Sequence, residues 1–351
     1  MIVTLIALLL LLVSIVHGFY TSTSIRKSSS SSSSLSSLSM LINLDVGLAM
    51  DKLAAANAEA LARKEGSQLL GKATGGIKAL LRCKLETMKD KPAVLARLLE
   101  REGCVSLVKV ISDETADELR AFINEESDRV KKEVEKGSIG FNDRFGGVNC
   151  RGLVGMFGQR QDFFLPISNT LVRKALKEVM TNIEPLLKET VTLEGRIHEV
   201  SCLIADNGAP RQNIHADTIV LPCPQYPDAH MEPMYTFFVA LQDIDDSMGH
   251  TQFLPRTHTP EIHLLWNVEQ QQKEMLLKSR EVVQSGLKKG DVSVFDSRIL
   301  HCGMANTANK RRILFYFTLS KSLFWPLPGG LHGSNSIMVE DRYRYQVKDI
   351  L

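Results

Sequence analysis

The most informative part of the chain is the segment at residues 208–217, because it places an imidazole and a carboxylate two residues apart, at His215 and Asp217. On a β-strand, side chains two residues apart lie on the same face, so these groups can reach one metal ion. An imidazole together with a carboxylate suits Fe(II), Mn(II) or Zn(II). The pair alone is weak evidence in a chain with nine histidines, because the same residues can also form a hydrogen-bonded pair in a loop.

A third candidate ligand, His301, follows a turn and an apolar, strand-like run at residues 290–296. Two histidines and one carboxylate make up the facial triad of non-haem Fe(II) oxygenases, which leaves three coordination positions open. The alternative for His301 is an imidazole packed in the core.

Two adjacent arginines, Arg311 and Arg312, stand ten and eleven residues after His301, at the start of another apolar run. An arginine on a neighbouring strand can hold a carboxylate through two parallel hydrogen bonds. A 2-oxo acid on two of the open positions, O2 on the third, and an arginine at the far carboxylate would make a complete site. Because adjacent strand residues point to opposite faces, only one of the two arginines can take this role.

Four motifs occur in a fixed order: GAPRQNIHAD from residue 208, GHTQFLPRTH from residue 249, GDVSVFD from residue 290 and HCGMANTANKRR from residue 301. Together they resemble the phytanoyl-CoA dioxygenase-like family of 2-oxoglutarate/Fe(II)-dependent dioxygenases. The resemblance is close over about residues 195–320 and looser from Gly103. It implies a double-stranded β-helix (a cupin-like jelly roll) wrapped by helices, and an oxidoreductase that uses Fe(II), 2-oxoglutarate and O2.

The resemblance also assigns roles to individual residues. His215, Asp217 and His301 match the iron ligands, and Arg312 matches the arginine that holds the distal carboxylate of 2-oxoglutarate, with Arg311 as the alternative. The iron centre itself is the expected catalyst, and no separate acid or base is assigned.

Further positions match the surroundings of the family's cosubstrate site. Gln212 and Asn306 occupy motif positions where hydrogen bonds orient ligands. Phe238 stands where some members carry a tryptophan that packs on the cosubstrate. Arg256 replaces the glycine of the family's Leu-Pro-Gly-x-His turn, which ends at His258, and this places a cation near the expected pocket mouth.

The expected substrate is a small molecule, with Arg151, Arg211, Arg256 and His258 as candidate contacts to an acidic metabolite. The retained Asp217 favours hydroxylation, desaturation or oxidative ring closure, because related halogenases lack this carboxylate. Ring closure of a prenylated amino acid, as in kainoid synthesis, is one candidate by analogy. Two other classes remain open: a cupin-like metalloenzyme that does not use 2-oxoglutarate, and a non-catalytic binding protein, which would be expected to lose a ligand.

The elements that must position these residues fall into two groups. Residues 45–102 predict a helical extension, and further helices are predicted from Ser112, an N-cap, to Lys136 and over 169–188. A first strand is predicted at 104–110. Later strands are predicted at 196–205, 234–242, 251–254, 292–295 and 313–319, with one helix at about 267–280 among them. Helices followed by many short strands predict an α+β fold with a sandwich or barrel-like core.

Length and charge limit the number of domains and the kinds of partner. The chain has 351 residues, and we assign 103–325 to one dioxygenase domain and 326–351 to a C-terminal tail. A formal charge of +2 gives no reason to expect nucleic acid as a partner. Both excess charges, Arg26 and Lys27, precede Asp45, the first acidic residue of the chain, so the chain from Asp45 onward is formally neutral.

The N-terminus has the composition of a targeting leader. Residues 2–16 are almost entirely apolar, which is short for a membrane span but suits a signal peptide, here residues 1–18. Residues 19–44 are Ser-rich, basic and free of acidic residues, like a transit peptide. A signal peptide followed by such a segment beginning with Phe19 resembles the two-part plastid leaders of diatoms and related algae. The resemblance predicts a plastid location without membrane attachment after leader removal, and a secreted or ER-lumenal protein is the alternative.

Overall fold

The computed structural model describes residues 78–148, 157–218, 220, 232–267, 270–321 and 336–351. The predicted signal peptide, the Ser-rich leader, most of the predicted helical extension and Arg151 lie outside the described residues.

Twelve strands lie within the described residues. They are β1 (Lys78–Ala79), β2 (Arg82–Lys84), β3 (Cys104–Val108), β4 (Phe145–Gly146), β5 (Arg160–Phe164), β6 (Arg196–Ala205), β7 (Met234–Ala240), β8 (Thr251–Phe253), β9 (Val283–Ser285), β10 (Val292–Asp296), β11 (His301–Gly303) and β12 (Arg312–Ser320). The strands predicted from the sequence correspond to β3, β6, β7, β8, β10 and β12. Strands β4, β5, β9 and β11 were not predicted.

The strands form two sheets. The smaller sheet has the order β1-β9-β8-β11, and the larger has the order β2-β3-β10-β7-β12-β6-β5-β4. All neighbouring pairs are antiparallel except β1 with β9 and β2 with β3. Strand β12 lies between β6 and β7, so it is central in the larger sheet.

The two faces of the larger sheet have different neighbours. On β12, Phe315 and Phe317 belong to an apolar cluster that includes the long helices. Leu314 and Tyr316, which point the other way, belong to a second cluster with Phe253 of the smaller sheet. One face therefore packs on helices, and the other face packs against the smaller sheet. We call this second face the inner face.

Seven α-helices lie within the described residues. They are α1 (Leu85–Asp90), α2 (Pro92–Glu102), α3 (Asp113–Glu135), α4 (Phe141–Arg144), α5 (Thr170–Thr190), α6 (Pro260–Asn267) and α7 (Gln270–Ser279). The predicted cap forms, since Ser112 Oγ accepts the Thr115 N–H at 3.3 Å. Asn169, which was not predicted as a cap, accepts the N–H groups of the first turn of α5 through its Oδ1. The α+β prediction is confirmed at the level of a mixed helix-and-sheet fold. None of the described helices is long and apolar enough to cross a bilayer.

Three predicted segments differ from the observed structure. Residues 78–84, predicted as helix, contain β1 and β2, because pairing with β9 and β3 overrides the local helical pattern. The helix predicted at about 267–280 is α7, which begins three residues later, and a separate helix that was not predicted, α6, precedes it. Residues 336–351 of the predicted tail are anchored to the core, since Gln346 forms a bridge with Arg196 and Val347 is fully buried.

Candidate functional site

His215, Asp217 and His301 converge on one point. Their ligand atoms all lie within 4.8 Å of one another. Asp217 Oδ1 is 3.5 Å from His215 Nε2 and 3.6 Å from His301 Nε2. This spacing lets the three side chains bind a single ion.

The backbone holds the two histidines side by side. Residues 212–217 run along β11, and the N–H of His215 donates to the carbonyl of His301 at 3.0 Å while the reverse bond measures 2.8 Å. Ile214 and Ala216, which alternate with the ligands, pack against the apolar cluster that includes α6 and α7. The two helices therefore support the ligand segment from behind.

A backbone carbonyl orients each imidazole. His215 Nδ1 lies 2.8 Å from the carbonyl oxygen of Asn213, and His301 Nδ1 lies 3.0 Å from that of Ile299. A carbonyl oxygen can only accept, so each Nδ1 carries the proton and each Nε2 keeps its lone pair for a metal.

For two of the three ligands, Asp217 and His301, the electrostatics favour the protonation state that binds a metal. Burial lowers the pKa of His301, and the charge of Asp217 offsets only part of this effect. Burial opposes ionisation of Asp217, but the two histidines outweigh it and lower the carboxyl pKa. For His215, burial is outweighed by the hydrogen bond and charge of Asp217, which raise the pKa. An ionised carboxylate and a neutral imidazole are the forms that bind metals, so the donor set fits Fe(II).

Arg311 and Arg312 lie on opposite faces of β12. Arg311 Nε donates to Asp206 Oδ1 at 2.6 Å on the outer side. Arg312 is 1% exposed on the inner face, and its Nη1 donates to the carbonyl of Gly249 while its Nε has no hydrogen-bond partner among the described residues. Burial, reinforced by the charge of Arg160, holds the pKa of Arg312 well below its usual range. The structure thus places Arg312, and not Arg311, toward the interior between the sheets.

Arg160 on β5 is a second buried arginine, and the sequence reasoning missed it. The register places it opposite Ala205 of β6, whose other neighbour across the sheet is Arg312. Its guanidinium donates to the carbonyls of Pro210 and Met304. A lone arginine in the run RQDFF belongs to no motif, so no signal in the sequence could have found it. Two buried guanidinium groups make this end of the inner face cationic, which suits a carboxylate.

Of the other residues predicted near the cosubstrate, two line the cavity and one is buried away from it. Gln212 and Phe238 line the cavity beside the triad. Gln212 Oε1 accepts the N–H of Gly303 at 2.9 Å, and the Phe238 ring packs edge-on against Tyr316. Asn306 is fully buried, and its side-chain amide donates to two backbone carbonyls, which fixes the loop between β11 and β12.

The predicted substrate contacts that fall within the described residues do not line the cavity. The Arg256 side chain is 61% exposed and pairs with Glu102 at 2.8 Å. His258 Nε2 bonds to the carbonyl of Glu100 at 2.8 Å. Arg211 lies next to the buried thiol of Cys302. These positions give no support to an acidic substrate held by these groups.

The triad opens into a cavity of about 200 Å³ whose polar lining the sequence did not predict. Besides the triad, the lining includes Asp162, Glu199 and Tyr316 from three neighbouring strands of the larger sheet, all of them buried. The cavity therefore has a metal-binding triad and carboxylates within one enclosure.

The site as a whole has the parts of one class of enzyme. A facial triad with open positions and a buried arginine on a neighbouring strand are the parts of a 2-oxoglutarate-dependent Fe(II) dioxygenase. A family model described as phytanoyl-CoA dioxygenase (PhyH) matches residues 99–314, which is more than half of the chain. The chain belongs to the phytanoyl-CoA dioxygenase family, and it is a dioxygenase that uses Fe(II), 2-oxoglutarate and O2.

Solved structures similar to this chain include three proteins of low sequence identity. The non-heme alpha ketoglutarate dependent carbocyclase SnoK from nogalamycin biosynthesis has 16% identity and a TM-score of 0.47, with 70% of this chain and 87% of that chain covered. HygX from Streptomyces hygroscopicus, with nickel and 2-oxoglutarate bound, has 13% identity and a TM-score of 0.45, covering 69% and 94%. AviO1 from Streptomyces viridochromogenes Tue57 has 14% identity and a TM-score of 0.45, covering 68% and 98%. No curated protein matches the chain.

Proposed function

We propose that the protein couples the oxidative decarboxylation of 2-oxoglutarate to hydroxylation, desaturation or oxidative ring closure of a small molecule held in the cavity. The observation that carries the proposal is the combination of the triad, whose His301 lies on the smaller sheet, with Arg312, a buried guanidinium on the inner face of the larger sheet. Kainoid-type ring closure is one candidate within this class of reactions. The two sheets, which share an apolar cluster, support a double-stranded β-helix core with helices outside it.

In this proposal His215, Asp217 and His301 hold Fe(II). When bound, the iron with 2-oxoglutarate and O2 supplies the oxidising chemistry. The carbonyls of Asn213 and Ile299 keep both imidazoles in the tautomer that binds metal.

Arg312 would bind the distal carboxylate of 2-oxoglutarate. Within the described residues, no carboxylate pairs with this guanidinium and its Nε lacks an acceptor. A buried cation without a counter-charge is unfavourable, so an entering carboxylate would both satisfy the N–H groups and offset the charge. Arg160 adds a second positive charge at the same end of the inner face.

The remaining lining shields the reaction. The aromatic rings of Phe238 and Tyr316, together with Leu203, exclude water from the space beside the triad. A substrate in this space would be held by contacts with these rings and with the polar groups of the lining.

A cupin-like metalloenzyme that does not use 2-oxoglutarate is the second candidate, since it too would keep the triad. It would have no need of a buried Arg312, which is why we favour the first. The third class, a non-catalytic binding protein, is disfavoured because all three ligands are present and converge.

The experiment is a test of metal and cosubstrate dependence in the full chain. Metal-free protein supplied with Fe(II), 2-oxoglutarate and O2 should form succinate, and it should form none when Zn(II) replaces Fe(II) or when O2 is excluded. His301→Ala should weaken Fe(II) binding by more than about 100-fold, because even loss of a residue that only orients a ligand costs 10–100-fold. Cys302→Ala, at the adjacent position with its side chain on the other face, should leave metal binding unchanged. Equal turnover with Zn(II) would contradict the proposal.

A further inference from the structure

The inner face of the larger sheet is polarised along its strands. In the row where Arg312, Ala205 and Arg160 are neighbours, it carries the two buried arginines. Asp162 lies two residues after Arg160 on β5, so it shares the face one row further on, roughly 7 Å away along the strand.

The polarity continues on the next strands. Tyr316 on β12 pairs with Ser201 on β6, and Thr318 pairs with Glu199, so these residues follow the arginines along the same face. On β5, β6 and β12, cationic groups therefore lie at one end of the face, and carboxylates and hydroxyls lie further along it.

Asp162 is a buried carboxylate without a cation. It is 3% exposed and lines the cavity, and its oxygens accept hydrogen bonds from the hydroxyls of Ser201, Tyr316 and Ser336. No Lys, Arg or His of the described residues pairs with it. Burial, which these hydrogen bonds offset only in part, raises its pKa to about 6. Above about pH 6 the group therefore carries a negative charge that no cationic side chain of the described residues neutralises by a direct pair.

Glu199 supplies a second carboxylate to the same lining. It is 4% exposed, and its Oε2 accepts the hydroxyl of Thr318 at 2.6 Å. Two carboxylates in one small enclosure favour a cationic group between or beside them over a neutral or anionic one.

We propose that the substrate carries a protonated primary or secondary amine, which pairs with Asp162 while Glu199 adds to the negative field around it. This inference rests on the proposed function and names the substrate class for the same cavity. The distal carboxylate of 2-oxoglutarate would bind at the end with Arg160 and Arg312, and the substrate ammonium would bind near Asp162 and Glu199. The opposite charges of the two ends thus give each molecule its own place. A neutral alcohol would leave the charge of Asp162 uncompensated, and a carboxylate would be repelled.

The test is an isothermal titration, without O2, of the full chain loaded with Fe(II) and 2-oxoglutarate. The probes are matched sets of equal chain length: butylamine, butanol and butyrate; hexylamine, hexanol and hexanoate; octylamine, octanol and octanoate. Uptake of Fe(II) and of 2-oxoglutarate is measured first. Failure at that stage would overturn the proposed function, and failure of only the amine preference would overturn this inference.

The variants separate the effect of the Asp162 charge on binding from a general effect of losing a buried carboxylate. Asp162→Asn should weaken amine binding by roughly 30-fold or more, as loss of one partner of a buried charge pair does, and should leave alcohol binding and 2-oxoglutarate binding unchanged. Asp341→Asn is the matched control, because Asp341 is also a buried carboxylate but accepts the Ile167 N–H outside the cavity lining. It should keep the amine preference. Glu199→Gln should weaken amine binding more modestly, and it decides the matter if Asp162→Asn does not fold.

Two results would overturn the inference. One is that in every set the amine binds no more tightly than its alcohol. The other is that Asp162→Asn folds and retains the full amine preference of the natural protein or, if it does not fold, that Glu199→Gln retains it.

Discussion

Arg311 and Arg312 are neighbours in sequence whose guanidinium groups have opposite surroundings, and this contrast gives a sharp prediction at the scale of single residues. Arg312→Ala should raise the concentration of 2-oxoglutarate needed for half-maximal succinate formation by roughly 30-fold or more, because it removes a buried charge from the distal carboxylate. Arg311→Ala removes the partly exposed pairs with Asp206 and Asp128, should leave 2-oxoglutarate affinity unchanged, and should cost about 1–2 kcal/mol of unfolding free energy. Equal effects of the two variants on 2-oxoglutarate affinity would contradict the assignment.

At this scale the sequence predicts which residues bind the metal better than it predicts which residues line the cavity. The spacing of His215, Asp217 and His301 was enough to name three groups that the structure brings together. Arg160 and Asp162 could not be named, since the importance of a charged residue in a short polar run depends on the strand that lies beside it. Arg256 was named because it departs from a motif, yet its side chain pairs with Glu102 at the surface.

Among the connecting elements, the turn at Gly249 matters most for the site. Gly249 lies between the short 3-10 helix Asp246–Met248 and β8, with φ of 74°, and its carbonyl accepts from Arg312. A Cβ at this position would overlap the carbonyl oxygens of Met304 and Ala305. The turn therefore requires glycine for both its backbone conformation and its close approach.

Gly249→Ala should lower the free energy of unfolding by about 3 kcal/mol, since the left-handed conformation costs an L-residue about 1–2 kcal/mol and overlap adds to it. Gly208→Ala is the matched control. Gly208 also has a positive φ, 81°, but its Cβ would meet open space, so only the first cost of about 1–2 kcal/mol applies. Urea unfolding of both variants measures the difference, and equal losses would show that the close approach at Gly249 has no energetic consequence.

Two properties decided whether a strand could be predicted from the sequence. One is its length, and the other is whether its inward-facing side chains are apolar. Strand β6 was predicted at its observed bounds because its ten residues form a long run that is rich in β-branched and apolar side chains. Strand β11 has three residues, too few for any alternation. Strand β5 reads RQDFF, with Arg160 and Asp162 pointing inward, because the inner face there is a binding surface and not a hydrophobic core. The segment containing β1 and β2 was misjudged because strand partners far along the chain decide its structure.

At the scale of the whole molecule, we propose that residues 1–44 are a leader that directs the protein to the plastid. The basis is a predicted signal peptide followed by a Ser-rich, acid-free segment that begins with Phe19. A fluorescent protein fused behind residues 1–44 and expressed in a diatom should accumulate in the plastid. With residues 1–18 alone it should enter the secretory route and stay outside the plastid. Secretion of the longer fusion would contradict plastid targeting.

The stability of the whole molecule should respond to pH through two opposing sets of buried groups. Asp162 has a pKa raised to about 6 from an ordinary 3.8, so the folded state holds its proton more tightly than the unfolded state does. The contribution of this group is therefore most favourable below about pH 4 and declines as pH rises through about 6, by up to about 3 kcal/mol. Burial lowers the pKa of His250 and His263, so these groups favour the folded state increasingly as pH rises through their ordinary value near 6.5.

Because the two effects partly cancel in the natural protein, the informative quantity is the difference between the natural protein and Asp162→Asn. Urea unfolding at a series of pH values from 4 to 8 measures it, and the chosen range spans both titrations. Relative to the natural protein, the variant should gain stability as pH rises from about 4 to 6, since it no longer carries a carboxylate that must ionise inside the cavity. A difference independent of pH would mean that Asp162 does not titrate in this range, and would place its folded-state pKa close to that of an exposed carboxyl.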